Sequence, residues 1–547
     1  MKVLRIIINI FKHLFMPLTA LIVLLISILQ VVGVAYCDTN SWEILFLTPD
    51  DTINQIISLA KCIYIFLIVA YIWLDHKKET SYKSYNPVLF ILAFTIIFLS
   101  WLEGIIINYP GSFGTDALRQ LNGTYGYIEF MDDNPLHTLL MKFFFSIGDM
   151  FGNRTAGAFS YTLFQAMLLA IAFAFMCEEV RRITPGVGGM IAYSITLAFF
   201  AMSPMWGAFA QWISKDIPYT AVISMWMVFL MRCIRDGANQ SKYNIIMMII
   251  TAVISCLMRI NGPYAIFPTM FALVLFSHKN SRKCIFTAFL ITVVLYAGSN
   301  KILRIKVDEQ AAQRDITLLG LVQLNQAQQV MRCYIEHPES ITPEEVEIID
   351  AVLEADRINE MYNPTSTDGI LYIRRATTYE AIGKFQKLWG DFLKRYPDSC
   401  IQASLNKCYG YYSCASMGYI SLHGHDSVPD SRLELDFLYP VEDRIAYKAK
   451  FEEISRAPVT RVMSMAGLYT QISIICGWSL LRKLKIKELI PFIPIAINIC
   501  VCLAGPLSKF IRYALPVAAA CPLLIAWVAE TLKSLPKKPI AENSIIQ

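Results

Sequence analysis

Twelve apolar runs set the terms for this chain: about 15–36, 57–74, 87–107, 157–177, 187–204, 217–232, 244–259, 263–277, 284–300, 462–480, 488–505 and 513–530. A run of about 17–22 residues crosses a hydrocarbon core of roughly 30 Å; several of these are shorter, most of all 217–232, 244–259 and 263–277. Only 17% of the residues are charged and 55% are hydrophobic, against roughly 25% charged in a soluble globular protein. The expected fold class is an α-helical polytopic membrane protein of about twelve transmembrane helices in a cell membrane.

Lys and Arg in the short loops test that count, because cytoplasmic loops carry the excess of positive charge. Lys2, Arg5 and Lys12 precede the first run. Every second loop then carries Lys77, Lys78 and Lys83; Arg181 and Arg182; Arg232, Arg235 and Lys242; Lys279, Arg282 and Lys283; Arg482, Lys483, Lys485 and Lys487; and the tail KSLPKK. One missed span would reverse the parity of all that follow, so the agreement supports twelve crossings with both termini cytoplasmic. The first run is longer than a signal core, and VAYCDT lacks a small-x-small cleavage pattern.

The same parity divides the chain. Residues 1–85 hold two N-terminal spans, and 86–300 a transmembrane core with an outer loop at 108–156. Residues 301–461 are long enough for a domain of their own and are expected to form a mainly helical extracytoplasmic domain; 462–547 hold the last spans and a cytoplasmic tail. In the outer segment, Gln310 to His337 reads as one long amphipathic helix. Thr342, Pro343 and Glu345 form a helix-start signal, MYNPTSTDG a turn, and 373–395 a further helix ending at YPDS. YGYYSCASMGYISLHGHD reads as irregular. Of fourteen cysteines, Cys333, Cys400, Cys408 and Cys414 lie in this segment. Four allow three pairings, and an exported compartment permits one or two bridges or none.

Four outer stretches could carry chemistry. YPGSFGTDALRQLNG places Asp116 at the start of a short helix with Arg119 one turn on, and its loop continues as FMDDNPLHT with Asp132, Asp133, Asn134 and His137. Taken alone, Asp116 and Asp133 each read more readily as helix caps; both in one glycine-rich loop favour a site. QWISKD offers Lys215 and Asp216, either a snorkelling pair or a cation for a lipid phosphate. MRING offers Arg259 and Asn261; an arginine so close to the apolar phase needs a partner, which could be a bidentate phosphate or backbone carbonyls. LSKFIRY offers Lys509, Arg512 and Tyr513. Basic groups at an outer boundary run against the positive-inside bias, and opposite a carboxylate loop they suit an anionic lipid substrate.

YPGSFGTDALRQ, DDNPLHT, ISKDIPY, MRINGPYAIF, LVQLNQAQQVMR with YNPTSTD, KRYPDSCIQASL and FIRYALP occur here in order. Through them, from about Trp101 to Pro516, the chain resembles a family of large uncharacterised bacterial membrane proteins grouped with the GT-C class of glycosyltransferases. Asn134 stands where that pattern has a His, and Ile260 with Asn261 where it has an Asn pair. The resemblance implies a GT-C-like core and transfer of a sugar from a polyprenyl-phosphate donor in the bilayer to an envelope glycan or glycolipid acceptor on the extracytoplasmic face. Asp116 would be the catalytic base. Lys215, Arg259 and Arg512 would hold the donor phosphate, and Asp133 and His137 would bind the acceptor or orient the base. A divalent cation, Mg or Mn, on Asp116 and Asp133 stays open; no nucleic-acid partner is expected. A transporter or flippase of a lipid-linked glycan and a non-catalytic envelope scaffold are the competing classes.

Overall fold

The structure, a computed structural model, describes residues 17–74, 83–125, 135–184, 188–305, 321–418, 420, 433–505 and 507–533. It is built of helices, with one two-stranded pairing among the described residues. The apolar helices are α1 Pro17–Thr39, α2 Pro49–Leu74 and α3 Pro87–Ile107. After strand β1 Ser112–Phe113 come the amphipathic α4 Thr115–Thr124 and α5 Pro135–Met150, then the long α6 Arg154–Ile183. α7 Gly188–Met202 and α8 Pro204–Gln211 lead into strand β2 Trp212–Ile213 and α9 Asp216–Asp236. α10 Lys242–Met258, α11 Gly262–Phe276 and α12 Lys279–Ile305 complete the first bundle.

Every one of the twelve apolar runs holds a helix, yet they differ in reach. Seven are long and apolar enough to cross a membrane, and α7 with α8 forms a broken span or re-entrant loop bent by 54°. Four others, α10, α11, α18 Ala466–Leu481 and α19 Phe492–Ala504, have 13–17 residues. At 1.5 Å per residue they reach roughly 20–26 Å, short of a 30 Å core. Composition does not show where a helix stops; the stops lie at polar turns. α10 ends at buried Arg259 and α19 at Gly505.

α9 is the centre of the bundle, packed against α6, α10 and the last helix, α20 Leu515–Lys533. Aromatic packing fixes α3, α6, α7 and α8 together: Phe173 stacks on Phe200 at 3.9 Å and meets the edge of Trp206 at 4.6 Å. Nearer the C-terminal end of α6 two wholly buried carboxylates are clamped by arginines. Glu178 is paired with Arg181 at 2.6 Å, and Glu179 with Arg182 at 2.9 Å and Arg232 at 2.5 Å.

The polar segment forms α13 Leu321–Glu336, α14 Pro343–Asp350, α15 Tyr379–Arg395, α16 Pro397–Tyr412 and α17 Val441–Arg456. Its own core gathers Val330, Met331, Ile349, Leu353, Phe385 and Phe392. Thr342 and Glu345 close the expected capping box. The long helix expected from Gln310 is described only from Leu321, since residues 306–320 lie outside the described set. The helix expected at 373–395 starts instead at Tyr379, capped by Thr378. YPDS ends one helix and opens another: Pro397 occupies the first position of α16, where its missing N–H costs nothing. The stretch read as irregular is therefore helical through Tyr412, and its aromatics explain why. Tyr409, Tyr411 and Tyr412 are buried in the main bundle core, so burial rather than local propensity sets their conformation.

Candidate functional site

The site begins with a pairing of two very short strands. β1 and β2 run parallel, with Ser112 beside Trp212 and Phe113 beside Ile213. Three residues beyond Phe113 is Asp116, in the first turn of α4; three beyond Ile213 is Asp216, which opens α9. The pairing thus brings the SFGTD and WISKD stretches side by side in register. Both strands are anchored from the bundle. Thr162 Oγ1 donates to the Pro110 carbonyl at 2.7 Å, and Gln165 Nε2 donates to the carbonyls of Ala210 at 3.1 Å and Trp212 at 2.8 Å. Gly111 has φ +147°, and a Cβ there would stand 2.5 Å from Thr162 Oγ1, so this corner needs glycine.

Asp116 is not a cap. The cap position is Gly114, which has no side chain to offer. The Asp116 carboxylate instead faces three cations: Oδ2 is 3.5 Å from Lys215 Nζ and 3.4 Å from Arg512 Nη2, and Oδ1 is 3.8 Å from Arg119 Nη2. Its side chain keeps 31% exposure. Burial pushes its pKa up, but Lys215, Arg512 and Arg119 outweigh burial and hold it at about 2. It is a carboxylate under all ordinary conditions.

Asp216 is the opposite kind of acid, wholly buried. Its Oδ1 lies 3.0 Å from Arg259 Nη1, and its Oδ2 lies 3.2 Å from Arg512 Nε and accepts from Ser214 Oγ at 3.2 Å. Lys215 therefore pairs with Asp116 and not with its neighbour in sequence. Arg259 takes a carboxylate partner, where sequence left phosphate or carbonyls open. The turn that presents it is tight, with Gly262 N donating to the Arg259 carbonyl at 2.8 Å. Aromatic rings wall the two guanidiniums: Arg512 lies 4.7 Å from Phe510 and 5.0 Å from Tyr513, and Arg259 lies 5.5 Å from Tyr513. Arg512 also donates to the Tyr513 hydroxyl at 3.1 Å.

Among the described residues, Arg119, Lys215, Arg259 and Arg512 set four positive charges against the carboxylates of Asp116, Asp216 and the nearby Asp368, a surplus of one. Such a surplus at the ends of apolar helices suits an anion with several oxygens. It suits a divalent cation poorly, because both Asp116 oxygens already face cations. Among the described residues no cluster of three or more His, Cys, Asp or Glu could hold a metal. Asp132, Asp133 and Asn134 lie outside the described residues.

The remaining predicted residues stand apart from the carboxylates. His137 is wholly buried, its Nδ1 2.9 Å from Gln120 Oε1, so it ties α5 to α4. Burial, reinforced by Lys215, depresses its pKa to about 3, and the ring is neutral. Asn261 is half-buried at the start of α11, without a side-chain cap bond. Lys509 sits over the Tyr409 ring at 5.3 Å.

One neighbour escaped sequence reasoning as a site residue. The turn Asn363–Asp368 docks on the segment before Arg512: Ser508 N donates to the Thr365 carbonyl at 2.9 Å, and Ser366 bridges to Leu507. Asp368 at its end keeps an exposed edge. Desolvation of the rest raises its pKa, partly opposed by the Ser366 hydroxyl and Arg512, while Asp116 adds to the rise. The signal was present in YNPTSTD, but nothing in its spacing links it to FIRY.

Two solved structures are similar in overall course. The crystal structure of ArnT from Cupriavidus metallidurans in the apo state shares 11% identity over 82% of this chain and 76% of that chain, with a TM-score of 0.30. The same protein bound to undecaprenyl phosphate shares 11% over 80% and 77%, with a TM-score of 0.29. No curated protein matches the chain. Residues 131–539 match a family of unknown function, DUF6020, and with three-quarters of its length so matched the chain belongs to that family.

Proposed function

We propose that the protein is a membrane glycosyltransferase that moves a sugar from a polyprenyl-phosphate donor to a cell-envelope acceptor at the extracytoplasmic face. The observation that carries this reading is the Asp116 carboxylate, partly open to solvent and flanked by Lys215 and Arg512. A transferase acting on a phosphate-linked sugar needs both parts in one place, a proton acceptor and cations for the departing phosphate.

The acceptor hydroxyl oxygen attacks the anomeric carbon as the bond from that carbon to the phosphate oxygen breaks. The hydroxyl proton passes to Asp116, and the electron pair leaves with the polyprenyl phosphate. In the resting protein Asp116 is too weak a base for this, with its pKa at about 2. An incoming phosphate draws Lys215 and Arg512 toward its own charge, and Asp116 gains basicity as they turn away. Asp216 holds Arg512 by Nε and Arg259 by Nη1, and a bound phosphate would take Arg512 Nη2 from Asp116 and Tyr513. Asp368 keeps an exposed edge, where an acceptor would approach.

The bent pair α7–α8 favours a second reading, since broken helices mark transporter sites near the membrane midplane. Here the break is filled by the buried ring of Trp206, and the charges gather at helix ends. Purified protein in nanodiscs, given a panel of labelled polyprenyl-phosphate sugars and envelope glycolipid, separates the two readings: a transferase consumes a donor, whereas a transporter leaves it intact.

A further inference from the structure

Far from the carboxylates, two thiols face each other in the core of the polar segment. Cys333 on α13 and Cys400 on α16 are both fully buried, with their sulfurs 3.6 Å apart. The other two cysteines of the segment stand alone. Cys408 Sγ donates to the Ser404 carbonyl at 3.2 Å, and Cys414 Sγ lies 3.9 Å from Gln471 Oε1. Cys333 and Cys400 are therefore the two whose sulfurs meet.

We propose that Cys333 and Cys400 form a disulfide in the mature protein, and that Cys408 and Cys414 remain thiols. The thiolate of one cysteine attacks the disulfide of a dithiol oxidase and forms a mixed disulfide. The second cysteine then attacks the protein-side sulfur and expels the oxidase thiolate. Two protein thiols are oxidised to one disulfide, the oxidase disulfide is reduced to a dithiol, and the two protons pass to the oxidase. Because both sulfurs are buried in the finished fold, the exchange precedes closure of α13 on α16. Joining them requires closing roughly 1.5 Å, from 3.6 Å to the length of an S–S bond.

The bridge has a place in the architecture of the site. α13 and α16 lie antiparallel. At one end Cys333 meets Cys400 and His337 meets Ser399 at 3.0 Å. At the other end both helices hold the chain that leads to Arg512: Asn325 donates to the Ala504 carbonyl at 3.3 Å, and Lys407 to the Gly505 carbonyl at 2.7 Å. A covalent link at the far end fastens the pair that grips this turn. The proposal is independent of the transferase reading, and it depends on the segment reaching an oxidising compartment.

The test uses full-length protein in bacterial membranes. Free thiols are alkylated before and during denaturation, and the protein is digested without reductant for mass spectrometry. The expected result is a cross-linked peptide joining the Cys333 and Cys400 segments, released by reductant, with Cys408 and Cys414 alkylated. Recovery of Cys333 and Cys400 as alkylated thiols, or linkage of either to Cys408 or Cys414, overturns the proposal. Thermal melting of the same unalkylated protein gives a second readout: reductant lowers the midpoint of the wild type, and an unchanged midpoint counts against the bridge. C333S/C400S, where it folds, matches the reduced wild type.

Discussion

Asp116 and Asp216 stand at the same step beyond two parallel strands, and the guanidinium of Arg512 touches both, at 3.4 Å and 3.2 Å. Equivalent in position, they are opposite in environment. Asp116 is partly open to solvent and faces Lys215 and Arg119 as well, while Asp216 is sealed among Arg259, Arg512 and Ser214. The open acid is available to a substrate. The sealed one can act only through the arginines it holds.

That difference separates two substitutions of the same chemistry. Asp216→Asn leaves Arg259 and Arg512 buried without their carboxylate, a change that destabilises by about 3–5 kcal/mol. The variant is expected to melt well below the wild type. Asp116→Asn, at a site with solvent access, loses ion pairs that solvent partly screens and is expected to melt closer to the wild type. Thermal melts in detergent check both, and equal midpoints for the two variants would show that Asp216 does not carry the clamp.

Arg512→Lys keeps the charge but loses the fork that reaches two carboxylates at once, and lysine does not replace a bidentate arginine. The apparent KM for the donor is expected to rise roughly tenfold or more, about 1.4 kcal/mol of lost binding. Steady-state kinetics against donor concentration measure it, and an unchanged KM would remove Arg512 from phosphate binding.

The pH profile carries a sign that can be worked out. Asp116 is depressed to about 2 by Lys215, Arg512 and Arg119 acting against burial. Its ion pairs therefore contribute stability in full above the ordinary carboxylate range, and the contribution is lost as pH falls toward about 2. In kcat/KM, which reports the free enzyme, Asp116 adds no acid limb between neutral pH and about pH 4. K215A/R512A leaves only Arg119 against burial, so the Asp116 pKa rises and its acid limb moves toward that window. Rate–pH curves of the two proteins decide it.

How much of this was legible depends on the kind of signal. The apolar runs carried the helical architecture, and the charges Asp116, Lys215, Arg259 and Arg512 were singled out because each flanks an apolar run. Their partners were not legible. Lys215 was read with Asp216, its neighbour in sequence, whereas a pair of two-residue strands far apart in the chain matches it to Asp116. Strands that short have no alternation to read. The helical state of Tyr409–Tyr412 was missed because burial against distant helices, not propensity, decides it.

Asp368 illustrates the same limit, since its turn reaches the site only by docking on Leu507 and Ser508. On the proposed function, its exposed edge near Arg512 and Asp116 predicts that Asp368→Asn lowers kcat/KM for the acceptor and leaves the donor KM unchanged. Paired kinetics with donor and acceptor varied in turn test this, and a change confined to the donor would move Asp368 to the phosphate side.

The most direct test of the central claim is donor consumption by wild-type protein and Asp116→Asn, reconstituted in nanodiscs with labelled polyprenyl-phosphate sugars and envelope glycolipid. The account predicts that the wild type consumes one donor and that the variant, shown to be folded, is slower by roughly 10²–10⁴-fold, the range for a lost general base. Equal consumption by both proteins, or none by folded wild type with any donor in the panel, would contradict it.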